Sequence, residues 1–236
     1  MKQVASWWIS LSVPLLLLAT SVRLAMTSAW LTFEYTRPGF SVDAYGFSVE
    51  DRLRYGPKGV DYLLSADGIE VLAALVLPGA LCYPPSTTSC PMFNALELRH
   101  MEDVKQVVQS FFGAAWVAAV GSLLSAVWLR SHSTKFLWRA LWRGGLWAVG
   151  GMIAIALSAV AAWDTFFNVF HSLFFEDDTW QFYYSDSLIR LYPEQFWFDS
   201  ALVVSALTAL GAVLCVALGW RQLTLEDERI SRETWV

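Results

Sequence analysis

Apolar residues run along this chain in long blocks, rather than alternating as in a strand or recurring every three to four residues as on a surface helix. Four blocks approach or exceed the roughly 20 residues that a helix needs to cross a hydrocarbon core. They are Ala5 to Met26, interrupted by Pro14 and Arg23; the uncharged run Gln106 to Leu129; Gly144 to Trp163; and the uncharged run Ser200 to Trp220, which stops at Arg221. The chain of 236 residues is 56% apolar with a mean hydropathy of +0.45, greasier than an ordinary soluble domain. The predicted fold is an all-α membrane protein, one membrane domain over residues 1–236, with spans near 5–26, 106–129, 144–163 and 200–220. A removable signal peptide is the alternative for the first block, given Lys2, Leu15 to Leu18 and small residues near Ser28. Arg23 and the length of the stretch favour a retained anchor.

Positive residues in short segments resist translocation, and they set the orientation. Arg130, Lys135, Arg139 and Arg143 fall between the second and third spans with no acid among them, whereas Asp164 to Asp199 holds seven acids and Arg190 as its one Lys or Arg. The basic loop is therefore expected in the cytosol, with both termini, and loops 27–105 and 164–199 outside. The net charge of −5 comes with no basic stripe interleaved with aromatics, which excludes nucleic acid as a partner.

Within the long loop, Tyr62 to Leu77 turns apolar again but carries Asp67, Gly68 and Glu70. It predicts an interfacial or re-entrant helix ended by Pro78 and Gly79, with a buried element of a small external domain as the alternative. Cys82 and Cys90 can pair in an oxidising exterior or remain two thiols; the bridge is the favoured reading. Cys215, inside the fourth span, reads as a small buried apolar residue.

The second outer loop gathers ten aromatics between Trp163 and Tyr184. Such rings settle at the headgroup level, and a belt explains most of them. It does not explain the interleaved acids and histidine. His132 reads as a solvated neighbour of Arg130. His100 lies six residues before the second span and His171 eight after the third, both within about two helical turns of one membrane face. A helix over 166–175 would set Phe167, Phe174 and Phe175 beside His171, and desolvation among rings would keep its imidazole neutral and able to accept a proton. Glu97 and Asp103, three residues either side of His100, are close enough to hold a ring nitrogen. Interfacial packing is the plainer reading of either histidine. A metal site is a rival, with Asp164, Asp177 or Asp186 as further ligands, but no HExxH or close histidine pair supports it. No GxSxG elbow, P-loop or dinucleotide fingerprint occurs.

The segments LRHMEDVKQVV and FNVFHSLFFEDDTWQFYYSDSLIRLYPEQFWFD resemble a bacterial membrane family, the lipoprotein intramolecular transacylases. The resemblance rests on the HMxDV and FHxxFF…W…LIxLxPExF patterns and covers nearly the whole chain. The long outer loop matches only loosely, and the cysteine pair is not a family feature. What it implies is an enzyme of the bacterial cell membrane, without cofactor, whose partners are a diacylated lipoprotein and membrane lipid. An acyl chain would move from the glyceryl sn-2 ester to the α-amine of the lipoprotein's N-terminal cysteine. From amine nitrogen to carbonyl carbon the path closes an eight-membered ring, so the reactants are already tethered. Orientation alone then contributes on the order of 7–11 kcal/mol. The expected roles are His171 as proton carrier and His100 as second shuttle or oxyanion donor. Asp186 and Glu97 would orient imidazoles or attract the ammonium. Trp180 and Arg190 are possible donors, but the favoured reading of each is structural, as an interface anchor and an ion-pair partner. Competing readings are a non-catalytic lipid-binding or lipid-sensing protein, a metal-dependent lipid or peptide hydrolase, and an acyl-enzyme route through a cysteine.

Overall fold

The structure is a computed structural model that describes residues 1–176 and 179–234. Its helices are α1 (Lys2–Ala25), α2 (Ser28–Thr36), α3 (Val49–Leu64), α4 (Glu70–Ala73), α5 (Ala95–His132), α6 (Thr134–Ala161), α7 (Trp163–Phe174), α8 (Ser187–Leu191) and α9 (Glu194–Thr234). Strands β1 (Val76–Leu77) and β2 (Cys90–Pro91) form a small antiparallel ribbon with Leu77 opposite Cys90. Four of the helices, α1, α5, α6 and α9, are long and apolar enough to cross a membrane; α5 and α9 contain their predicted blocks, while α1 stops one residue short of Met26 and α6 two short of Trp163. The chain divides into two compact units: residues 1–23, 111–161 and 202–236, and residues 24–110 and 162–201.

The first unit is built from the apolar parts of the long helices, and apart from a small buried cluster around Ile9, Val13 and Leu129 many of its large side chains face outwards. Trp116, Val117, Leu123, Leu124, Val127, Leu157, Leu210 and Val213 are exposed, as lipid-facing residues are. Between the helices sit small and hydroxyl side chains. Ser6 Oγ donates to the Phe136 carbonyl at 3.0 Å, Ser10 Oγ to that of Ala140 at 3.2 Å, and Thr208 Oγ1 to Ser21 Oγ at 2.9 Å. Lipid tails are as apolar as leucine, so helix association here depends on close backbone approach and such bonds. A Cβ at Gly144 would lie 2.7 Å from the Cβ of Val13, which requires glycine at that crossing. His132 is exposed, as a solvated neighbour of Arg130 should be, and its ring also stacks on Trp128 at 4.4 Å and bonds that residue's carbonyl at 2.8 Å.

The second unit has a conventional buried core. Leu31, Tyr35, Phe47, Tyr62, Leu72, Leu77, Met92, Met101 and Leu191 all lie in it. Its α3 starts at a capping box, Ser48 with Asp51. The predicted interfacial helix over 62–77 is not a single helix: its residues are the end of α3, the one-turn α4 and β1. Ser65 caps α3 and receives the Asp67 N–H on its hydroxyl, so the chain turns there, and Tyr62, Leu72 and Leu77 are buried against protein. Of the alternative reading the burial holds: this segment is part of the core of the second unit. Cys82 and Cys90 are disulfide-bonded, tying the Gly79–Leu81 turn to β2.

Candidate active site

Both histidines belong to the second unit. His100 lies in the second turn of α5, ahead of the uncharged run, and is 7% exposed; His171 lies in the last turn of α7. Asn94 fixes where α5 begins. Its Oδ1 accepts the Glu97 N–H at 2.9 Å while Glu97 Oε2 accepts the Asn94 N–H at 2.7 Å, a reciprocal cap. The other carboxylate oxygen of Glu97 accepts the Leu188 N–H at 2.7 Å, joining α5 to α8. Burial raises the Glu97 carboxyl to about 7, against the pull of the two backbone bonds.

The imidazole rings lie with centroids 6.4 Å apart and planes 23° from parallel. His100 meets the edges of Phe175 at 4.9 Å and Phe182 at 5.3 Å. Around His171 stand Phe167 at 4.0 Å, Phe170 at 5.5 Å, Phe175 at 5.7 Å and Trp180, stacked at 4.8 Å. Phe174 instead packs on Phe170 and Phe175, because α7 ends there and Phe175 turns back in extended backbone.

Burial among rings disfavours charge on both imidazoles. His100 is held down to about 4 by desolvation first and by the neighbouring His171 second. His171 is also lowered by burial, partly offset by the bond between its Nδ1 and the Phe167 carbonyl at 2.8 Å. In the neutral ring that nitrogen must be the donor, which puts the proton on Nδ1 and leaves the lone pair on Nε2. His100 Nδ1 and Trp180 Nε1 are buried with no hydrogen-bond partner among the described residues.

The remaining sequence candidates lie elsewhere in this network. Glu97 holds no imidazole, since both its oxygens are taken by backbone N–H groups. Asp186 makes no bond to an imidazole: it precedes α8 without capping it through its side chain, and its Oδ2 accepts the Tyr183 N–H at 2.9 Å. Asp103 is half-buried, with no bond to either histidine. Arg190 is a core residue and not a free donor: it pairs with Asp43 at 3.1 Å, donates to the Leu81 and Tyr45 carbonyls and lies over Phe47. Asp164 sits in the first turn of α7, and Asp177 lies outside the described residues. Among the described residues, no three His, Cys, Asp or Glu side chains gather as metal ligands do. The sequence reading missed Phe182, which reaches back from beyond a turn with no periodicity to announce it. It also missed the Asn94 cap, although the Asn-x-x-Glu spacing was there to be read.

Residues 7–197 match a family model described as lipoprotein intramolecular transacylase Lit. An uncharacterized protein of Aquifex aeolicus (strain VF5) is 27% identical over 219 residues, 93% of this chain and 94% of its own. Among solved structures, the membrane integral lipoprotein intramolecular transacylase Lit from Bacillus cereus superposes with a TM-score of 0.78 at 19% identity, covering 97% of this chain and 98% of that one. A variant of that protein with one histidine replaced by alanine gives a TM-score of 0.71 at 19% identity, covering 97% and 96%. At that identity the superpositions establish a shared fold.

Proposed function

The chain belongs to the lipoprotein intramolecular transacylase family, and from that premise we propose that His171 and His100 carry out its O-to-N acyl transfer on diacylated lipoproteins. The observation that carries this reading is the pair itself: two buried imidazoles 6.4 Å apart in an aromatic box, one with its Nδ1 bonded to a backbone carbonyl so that its Nε2 is left for a substrate.

The α-amine of the lipoprotein cysteine, with a pKa of about 8, attacks as the neutral amine, its ammonium proton having passed to solvent. Its nitrogen lone pair forms the N–C bond while the carbonyl π pair moves onto oxygen. His171 Nε2 takes the ammonium proton from the resulting adduct. It returns that proton to the glyceryl oxygen as the C–O bond breaks, leaving a lyso glyceride and an amide. A placed base of this kind contributes on the order of 100- to 10,000-fold. His100 is the more deeply buried of the two and its burial disfavours charge, so we assign it the role of N–H donor to the oxyanion rather than second shuttle. No cofactor enters these steps.

The basic residues on either side of the α5–α6 turn, Arg130 at the end of α5 and Lys135, Arg139 and Arg143 in α6, argue for cytosolic termini and for the histidine pair at the extracytoplasmic surface of the bacterial membrane. Val169, Phe170, Leu173 and Phe174 are exposed on α7, and we assign them to contact with acyl chains and lipid. The test is the His171→Ala variant co-expressed with a lipoprotein substrate, read by mass spectrometry of the lipopeptide. The substrate should stay in the diacylglyceryl form, whereas normal conversion to the lyso form removes His171 from the mechanism. Binding of the diacylated peptide with no turnover by the unmodified protein would favour the lipid platform instead.

A further inference from the structure

Trp180 has two features that packing alone does not require. Its ring stacks on His171 at 4.8 Å and 30°, with Phe167 edge-on at 6.3 Å. Its indole N–H is buried and has no acceptor among the described residues. Leaving a buried donor unpaired is unfavourable, because the group gives up its bond to water and gains none in the protein. Another indole of the same unit avoids that cost: Trp30 Nε1 donates to Ser200 Oγ at 2.9 Å. The unit has three buried side-chain polar atoms without a partner among its described residues, Ser41 Oγ, His100 Nδ1 and Trp180 Nε1, and two of them are at the histidine pair. An aromatic-belt tryptophan keeps its N–H where water or headgroups can reach it, so the belt reading does not account for this one.

Indole nitrogen donates and does not accept, and it carries no proton in or out near neutral pH. A donor of this kind beside a proton carrier suits one partner only, an oxygen that gains negative charge during the reaction. We propose that Trp180 is a catalytic residue whose indole N–H, together with the His100 N–H, binds the acyl carbonyl oxygen as it becomes an oxyanion. This assignment rests on the transacylase reading of the site. The indole keeps its proton throughout. The electron pair that moves onto the carbonyl oxygen when the N–C bond forms returns when the C–O bond to glycerol breaks. The amine proton travels through His171 alone.

Trp180→Phe keeps a flat ring against His171 and deletes only the donor. With a diacylated lipopeptide and the purified full-length protein, kcat should fall on the order of 100- to 1,000-fold. KM should stay within a few-fold, and the shape of the pH profile should be unchanged. A second readout needs no turnover: an N-acetylated diacylated lipopeptide, isotope-labelled at the sn-2 carbonyl, bound to the protein and read by infrared spectroscopy. Its ester band should move to lower frequency in the unmodified protein, and most of that shift should vanish in Trp180→Phe. A kcat within threefold of normal, or a loss of kcat with the band shift intact, overturns the assignment. Should the variant fail to fold, an unshifted band in the unmodified protein is enough to overturn it. If His171→Ala turns over normally, the underlying transacylase mechanism falls, and the band still reports on the indole separately. If His171→Ala is dead while Trp180→Phe is fully active, only the Trp180 assignment falls.

Discussion

The two units solve opposite solvation problems with the same chain. In the first, bulky apolar side chains face outwards and serine, threonine and glycine lie between helices. In the second, tyrosines, phenylalanines and leucines are inside, and two arginines are buried with them, Arg52 at 4% and Arg190 at 2% exposed. Lipid offers helices no hydrophobic reason to associate, so the first unit relies on contact distance. The second excludes water, so it tolerates charge only where partners are complete. Arg52 Nε donates to the Arg190 carbonyl at 2.8 Å and Arg190 pairs with Asp43. The lesson is that polar atoms of the second unit left without partners stand out, and the histidine pair is where they gather.

Removing a partner from the second unit should break the contrast most strongly. Arg190→Met leaves Asp43 buried and uncompensated, which should cost about 3–5 kcal/mol. Thermal melting of the purified protein should show it as a lower-temperature transition. Overpacking the first unit should cost less. Gly144→Leu drives a side chain into Val13 and should lose about 1–3 kcal/mol, read as a lowered melting temperature. Deleting one interhelical bond there, as in Thr208→Val, should cost only about 0.6 kcal/mol.

The pH response is a smaller and more selective test. His100 has a folded pKa of about 4 against 6.5 for the free side chain. Between those values the unfolded chain binds the extra proton, so this contribution to stability is lost as pH falls from 6.5 towards 4. Glu97, raised to about 7 from 4.5, acts in the opposite sense: its contribution is lost as pH rises through that window. Comparing the unmodified protein with His100→Phe cancels the Glu97 effect. The variant should lose less melting temperature on acidification, and an equal loss in both would show that His100 is not buried as a neutral ring.

The same contrast explains what the sequence could disclose. Uninterrupted apolar runs have little alternative to crossing lipid, so the four long helices were legible from Ala5, Gln106, Gly144 and Ser200 onwards. The second unit obeys tertiary rules that leave weak local marks. Arg190 reads from the sequence as a donor or an ion-pair partner and is the latter, paired with Asp43, but nothing local shows that it or Arg52 is buried in the core. The stretch 62–77 looked continuous because its apolar content hid the turn at Ser65 to Gly68. His100 and His171 were found from their depth and neighbours. Glu97 was mistaken for an imidazole partner because spacing along a helix does not reveal that a carboxylate is already taken by backbone N–H groups. Trp180 and Phe182 lie beyond the end of α7, where no period shows which ring folds back on a histidine.

The most direct test of the account is a single-turnover measurement with purified His171→Gln and a diacylated lipopeptide, followed by mass spectrometry. An imidazole that carries the amine proton predicts a rate at least about 100-fold below normal, with melting unchanged. A rate within a few-fold of the unmodified enzyme would contradict it.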